Sequence, residues 1–275
     1  NFINEVDLVT YEFENIPFLI LKKINDKKKV LPKPEINKLI QHRETEKNFL
    51  NENNITTTEY VTIRDEKDLY ENAHLLPGLL KTTTLGYDGK GQYKLHSVDD
   101  INNDLDFTKE YILEKLVNLK KEISVVITRY NQKNYEIYEP IENVHEDQIL
   151  KYSTIPSNIS EDIRIKSIEW AKQVAEKLDY IGTLCVEFFI DEDDNLYANE
   201  IAPRVHNSGH LTMNSHNISQ FENHVRAVCN LEKIETKKLY NAKMINLIGN
   251  DIMPYRNKTF NDNEFFYDYL KTEIK

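Results

Sequence analysis

The sequence predicts an α+β protein with mixed sheets in more than one domain, and three observations carry that prediction. The 275 residues, 32.5 kDa, suffice for two or three packed units with sizeable cores. Short strand-like runs are interleaved with helical spacings, without an internal repeat or low-complexity tract. A hydrophobic content of 40% beside 29% charged residues is that of an ordinary globular chain.

In chain order, residues 6–13 and 18–21 read as short strands with a turn at Pro17. Because strand-like VDLVTYEF follows so soon after Asn1, an N-terminal domain is expected to be largely missing. KPEINKLIQHRETEKNFLNENN has helical spacing at Ile36, Leu39, Ile40 and Leu50, with Pro34 near its start. Polar residues 51–58 lead into an alternating unit: strand 59–63, helix 66–74, strand 78–83, a glycine cluster and strand 92–96. Residues 110–117 and 122–130 are further strands. A long helix fits 160–178, with Ile163, Ile168, Ala171, Val174 and Leu178 on one side. Two strands, IGTLCVEFFI and NLYANEIA, and a helix over 219–230 follow.

The net charge of −11 argues against a nucleic-acid polymer as partner, whose phosphates need a basic surface. No apolar run approaches the roughly 20 residues that span a bilayer, and no signal peptide is visible. Cys185 and Cys229 make no disulfide framework and read as reduced thiols, so a cytoplasmic location is expected.

KTTTLGYDGKGQ, residues 81–92, holds three of the seven glycines. Gly86, Gly89 and Gly91 permit positive φ and close approach of backbone to a ligand, and successive N–H groups in such a turn cradle anions. Lys81 and Lys90 add positive charge, which suits a lid over polyphosphate; a plain hairpin turn fits the loop equally well. A P-loop and a dinucleotide fingerprint are both excluded by the spacing.

A sharper signal lies in IGTLCVEFFIDEDDNLYANEIAPR. With the turn centred on Asp193–Asp194, Glu187 falls opposite Glu200 on one face. Like charges so placed destabilise the pair unless a cation sits between them. Oxygen-only ligands favour Mg²⁺ or Mn²⁺ over zinc. Asn199 adds an oxygen only if the strand bulges, and a one-residue slip would separate the carboxylates. Next, APRVHNSGH crowds Arg204, His206, Asn207, Ser208 and His210 around Gly209, which suits an anion. Gly209 argues against a helix there, and zinc on His206 and His210 lacks a third soft ligand. The segment Glu114 to Val117 offers backbone groups to a purine edge and Glu122 an acceptor for ribose, but any strand–turn–strand with a glutamate would do as much.

QHRETEKNFL, KTTTLGYDGKGQ, EISVV, EPIENVHEDQIL, GTLCVEFF, NEIAPRVHNSGH and SQFENHVRAVCNL occur in that order, with TYEFENIP ahead of them. Over about residues 7–250 the chain resembles the ATP-grasp family of N5-carboxyaminoimidazole ribonucleotide synthases. The resemblance implies a three-part ATP-grasp architecture: 1–45 as the end of the N-terminal domain, 46–118 as the central lid domain and 119–275 as the C-terminal domain. It implies ATP-dependent carboxylation of aminoimidazole ribonucleotide by bicarbonate, through carboxyphosphate, in a homodimer. By motif, Arg43 and Lys81 would contact ATP phosphates, and Gly86, Tyr87, Asp88, Gly89, Lys90, Gly91 and Gln92 would close as the lid. Tyr87 and Asp88 would face the ribonucleotide. Glu114, Lys115 and Val117 would line the adenine pocket and Glu122 would hold ribose. Glu187 and Glu200, beside Asn199, would bind magnesium; Arg204, His206, Asn207 and Ser208 would hold bicarbonate. The family's basic, glycine-containing segment near the C-terminus has no match after NAKMINLIGN. Another ATP-grasp carboxylate–amine ligase and a non-catalytic nucleotide-binding homologue are the alternatives.

Overall fold

The computed structural model describes residues 2–84, 91–100 and 105–268. Helices α1 (Phe18–Asn25), α2 (Pro34–Ile40) and α3 (Arg43–Glu52) precede a four-stranded antiparallel sheet. That sheet comprises β1 (Tyr60–Ile63), then, after α4 (Glu66–Glu71), β2 (Gly78–Thr82), β3 (Gln92–Leu95) and β4 (Tyr111–Lys115), in the order β1-β4-β2-β3. Leu69 of α4 and Leu75 pack on its Ile63, Leu80, Leu95 and Leu113.

The second sheet has seven strands: β5 (Leu119–Arg129), β6 (Tyr135–Ile137), β7 (Ile141–Glu146), β8 (Ile149–Ile155), β9 (Gly182–Asp191), β10 (Leu196–Ala202) and β11 (Ala242–Ile245). The order is β10-β9-β5-β7-β8-β11, with β6 on β5. Between β8 and β9 runs α5 (Glu161–Lys177), whose Ser160 N-cap accepts from the Ile163 N–H. Val125 and Ile127 pack on one face with Ile163, Trp170, Ala171 and Val174 of α5, whereas Val126 and Cys185 pack on the other with Tyr138, Ala202 and Leu211. Both faces are covered, which is why β5 reads ISVVI rather than as an alternation. Short α6 (Thr212–Ser215) and α7 (Gln220–Val228) follow β10. Ile36 of α2, Leu50 of α3 and Ile55 join the α5-side core, so the helices ahead of the first sheet are anchored on the second.

Several elements differ from the sequence expectation. Residues 18–21, read as a strand, are the first turn of α1: Leu21 packs with Val9 and Val30, while Leu19 and Ile20 stay exposed. A four-residue apolar run carries no period that separates the two structures. Residues 6–13 make one bridge, Val9 to Val30, instead of a strand. The helical stretch 34–52 breaks at Gln41, whose side chain donates to the Glu14 and Ile16 carbonyls. Gly209, expected to exclude a helix, sits within a 3-10 turn, Asn207–Leu211.

Candidate active site

Between the two sheets lies a cleft of about 530 Å³. Its first wall is built by α3 and the four-stranded sheet. Lys81 lies one residue before the end of β2 and Lys47 one helical turn beyond Arg43 on α3, and both ammoniums reach one carboxylate oxygen of Glu114 on β4. The distances are 3.1 Å from Lys81 and 3.3 Å from Lys47, and the Thr58 hydroxyl donates to the same oxygen from 3.3 Å. All three charged side chains are buried. Burial alone would raise Glu114, but Lys47, Lys81 and Arg43 outweigh it and hold the carboxyl at about 2. At Lys81 the balance reverses: burial dominates the pull of Glu114 and its pKa is lowered. The neighbouring Arg43 and Lys47 charges add to burial at Lys81, since each repels its ammonium and offsets the pull of Glu114.

At the mouth of this wall Lys81 pairs with Gln92 across β2 and β3, and the Thr82 N–H donates to the Gly91 carbonyl at 2.9 Å. Gly91 has φ +71°, and a Cβ there would stand 2.8 Å from the Thr82 hydroxyl. Glycine is therefore required where the loop leaves the sheet. Gly86, Tyr87, Asp88, Gly89 and Lys90 lie outside the described residues.

The second wall is the β9–β10 hairpin. Near its turn, Tyr197 faces Phe189 and Ala198 faces Phe188; beyond a bulge at Asn199, Glu200 faces Glu187. The bulge sets two residues of β10 against one of β9, so Asn199 and Glu200 both line the cleft with Glu187. Burial opposes ionisation of Glu187, yet the adjoining His206, with its Nε2 2.8 Å from the carboxylate, holds the pKa below the ordinary range. Glu200 is raised, first by burial and then by Glu187, with Arg43 opposing from 3.7 Å. Its side chain is 42% exposed to the cleft, so water moderates that rise. Glu46, on α3 behind Glu200, is pushed up to about 8 by burial and by the Glu200 charge.

At the end of the second wall, Gln220 brackets His206: its oxygen accepts the His206 N–H at 2.9 Å and its amide donates to the His206 carbonyl at 2.6 Å. Burial disfavours the His206 imidazolium, but Cys185 and Glu187 carry its pKa well above the ordinary value. Ser208 is fully buried, its Oγ 2.8 Å from both His206 Nδ1 and Ser124 Oγ. Its hydroxyl thus supports the histidine from behind instead of meeting the cleft. Arg204 and Asn207 line the cleft, and the Arg204 Nε is paired with Glu14 at 3.0 Å. His210 packs its ring on Phe221.

Of the residues singled out in the sequence, the structure brings Arg43, Lys81, Gln92, Glu122, Glu187, Asn199, Glu200, Arg204, His206 and Asn207 to one cleft. Glu114, Lys115 and Val117 do not line it. The Glu114 side chain turns inward to the lysines, and the Lys115 and Leu116 N–H groups are taken by the Glu59 and Pro77 carbonyls. Glu122 meets His145, 2.6 Å away in a close charge contact, on the strand next to it. Sequence reasoning passed over His145, Glu14, Glu46 and Lys47. The last two fall three and four residues after Arg43, a helical spacing that places them on the same side of α3.

The ATP-grasp domain family matches residues 48–221. The N5-carboxyaminoimidazole ribonucleotide synthase of Brucella melitensis is 43% identical over 256 residues, spanning 90% of this chain and 70% of that protein. The chain belongs to this synthase family. The N5-carboxyaminoimidazole synthetase of Staphylococcus aureus, solved with ADP, superposes with a TM-score of 0.87 at 34% identity, covering 92% of this chain and 69% of that one. The synthase of Aspergillus clavatus, solved with ADP and 5-aminoimidazole ribonucleotide, gives a TM-score of 0.83 at 29% identity, covering 90% and 66%. The two-sheet arrangement around the cleft is accordingly the ATP-grasp fold, and the carboxylate hairpin lies in its larger sheet.

Proposed function

We propose that this protein uses ATP to carboxylate 5-aminoimidazole ribonucleotide, forming N5-carboxyaminoimidazole ribonucleotide, ADP and phosphate in purine biosynthesis. The observation that carries the reading is the opposed Glu187–Glu200 pair facing a lysine–arginine wall, in a chain 43% identical to a synthase of that activity. Mg-ATP presents both charges at once. Its phosphates suit Arg43 and Lys81, and its cation suits the carboxylates. The donor set of Glu187, Glu200 and Asn199 is all oxygen, as magnesium or manganese requires. Two like charges at the cleft wall, each only partly compensated, fit such an ion. When bound, the ion neutralises charge on the phosphate oxygens.

The rest follows from positioning and charge. Arg43 and Lys81 hold the phosphates. Gly91 supplies the backbone freedom at the root of a loop that closes over them and excludes water, which protects a carboxyphosphate from hydrolysis. Arg204, His206 and Asn207 form the bicarbonate end: a guanidinium and an imidazolium there neutralise the anion while its oxygen attacks the γ-phosphorus, the bond to the β–γ bridging oxygen breaks and ADP leaves. The carboxyl then passes to the N5 amine and phosphate leaves. Glu114 acts as the counter-ion that keeps Lys81 in place. We assign residues 46–118 to the lid domain and 119–275 to the C-terminal domain, in a cytoplasmic homodimer, on family resemblance. Among the described residues no helix is long and apolar enough to cross a membrane.

Phosphate release from Mg-ATP tests the proposal. Release dependent on both bicarbonate and aminoimidazole ribonucleotide is expected. ATP binding without stimulation by the ribonucleotide would overturn the substrate assignment.

A further inference from the structure

We infer that Glu46 is a positioning residue that holds the bulge of β10 and thereby keeps Glu200 opposite Glu187; the inference rests on the reading of those two glutamates as the cation carboxylates. β10 is an edge strand, so the N–H groups on its outer side find no partner in β9. Along a regular antiparallel strand such outward N–H groups recur at every second residue. Here they fall three apart. The Ala198 N–H donates outward to the Thr56 carbonyl at 2.8 Å, and the Ile201 N–H donates outward to Glu46 Oε1 at 2.5 Å.

The extra residue between them is the bulge at Asn199, and it reverses which amides point outward. An outward N–H at Ile201 exists only in the bulged register. Without the bulge, Glu187 would face Asn199, and Glu200 would turn to the opposite face of the sheet. Glu46 is buried, projects from α3, and accepts the one outward amide that distinguishes the two registers on the cleft side. Thr56 anchors the strand before the bulge and Glu46 anchors it after. The sheet's own hydrogen bonds do not perform this selection, because β9 pairs with β10 in either register.

The contact uses one carboxyl oxygen as an acceptor, so Gln is a conservative replacement and Ala is not. In the full nucleotide-free chain, amide exchange at Ile201 is compared among the parent, Glu46→Gln and Glu46→Ala, with Ile190 in β9 as the internal reference. Glu46→Ala is expected to speed exchange at Ile201 by about ten- to a hundredfold, the range set by a lost buried hydrogen bond, with Ile190 unchanged. Glu46→Gln is expected to keep the parental rate. In phosphate release, Glu46→Ala should raise the magnesium concentration for half-maximal rate by about tenfold, as loss of an outer-shell partner does, and Glu46→Gln should restore it. Equal impairment by Gln and Ala would show that the charge is needed and that Glu46 is itself a ligand, which overturns the inference. Parental exchange at Ile201 in Glu46→Ala would overturn it as well. Acceleration at Ile190 to the same degree would mean general destabilisation and sink it; Glu46→Gln, which keeps the acceptor, would then report the fold. If Glu200→Gln leaves the magnesium requirement untouched, the cation reading falls, while exchange at Ile201 still decides whether Glu46 holds the bulge.

Discussion

On β4 one carboxylate, Glu114, meets two ammoniums and a hydroxyl; on β9 and β10 two carboxylates face each other, with His206 2.8 Å from one and Arg43 3.7 Å from the other. The first cluster is buried and closed around one carboxylate oxygen, with one carboxylate for two ammoniums. The second opens on the cleft, and burial and then Glu187 leave the Glu200 pKa raised. Buried ions cost several kcal/mol each unless paired, so the closed cluster behaves as structure. The open one is held by its surroundings in an arrangement that a cation relieves. The comparison separates two uses of glutamate that composition and spacing alone make equivalent.

The largest effect is expected where the closed cluster is broken. Glu114→Ala leaves Lys47 and Lys81 buried together and should cost about 3–5 kcal/mol of stability, read from denaturant unfolding. A loss below about 1 kcal/mol, the size of an exposed pair, would show that the cluster is not closed. The same residue gives a pH signature. Its folded pKa of about 2 lies below its ordinary 4.5, so the stabilisation is fully present above that value and disappears as pH falls through about 2. Glu114→Ala should flatten that part of the acid-unfolding curve.

Glu200→Gln strikes the open pair. Turnover should fall by more than about 100-fold, beyond the 10–100-fold typical of an outer-shell partner. Stability should hold or rise, because a like-charge repulsion is removed. A rate within tenfold of the parent would place the cation elsewhere. Arg204→Ala removes a charge-assisted contact worth about 1.5–3 kcal/mol, so the KM for bicarbonate should rise by about tenfold or more while that for ATP stays. Parallel increases would detach Arg204 from the bicarbonate end.

Gly209→Ala is the mildest. A Cβ at Gly209 would stand 2.4 Å from the Gln220 oxygen that accepts the His206 N–H. Overpacking there should cost about 1–3 kcal/mol in thermal unfolding. Turnover should drop with it if His206 is placed by Gln220, and unchanged turnover would break that link.

Much of the fold was legible locally. Helix α5 announced itself through a periodic apolar face. The Glu187–Glu200 juxtaposition was expected from a turn centred on Asp193–Asp194, but the pairs nearer the turn lie one residue out of that register, and the Asn199 bulge is what brings the two carboxylates together. Strands β6, β7 and β8 passed unnoticed, because short runs such as IENVHE break their apolar residues with polar ones. Lys47 and Glu46 were hidden for a different reason. On a charged helix nothing local distinguishes a solvated residue from one that a second sheet buries.

The sequence by itself determined the ATP-grasp family, the glycine-rich root of the loop and a hairpin carrying one glutamate on each strand, since each depends on residue type and short spacing. The bulge that sets the two glutamates opposite each other rests on tertiary contacts. Only the tertiary structure decided that Glu114 serves the lysines and not the cleft, that Ser208 stands behind His206, and that Glu46 meets the Ile201 amide from 155 positions away. Those roles depend on burial and on partners brought together by packing, and neither quantity has a local signature.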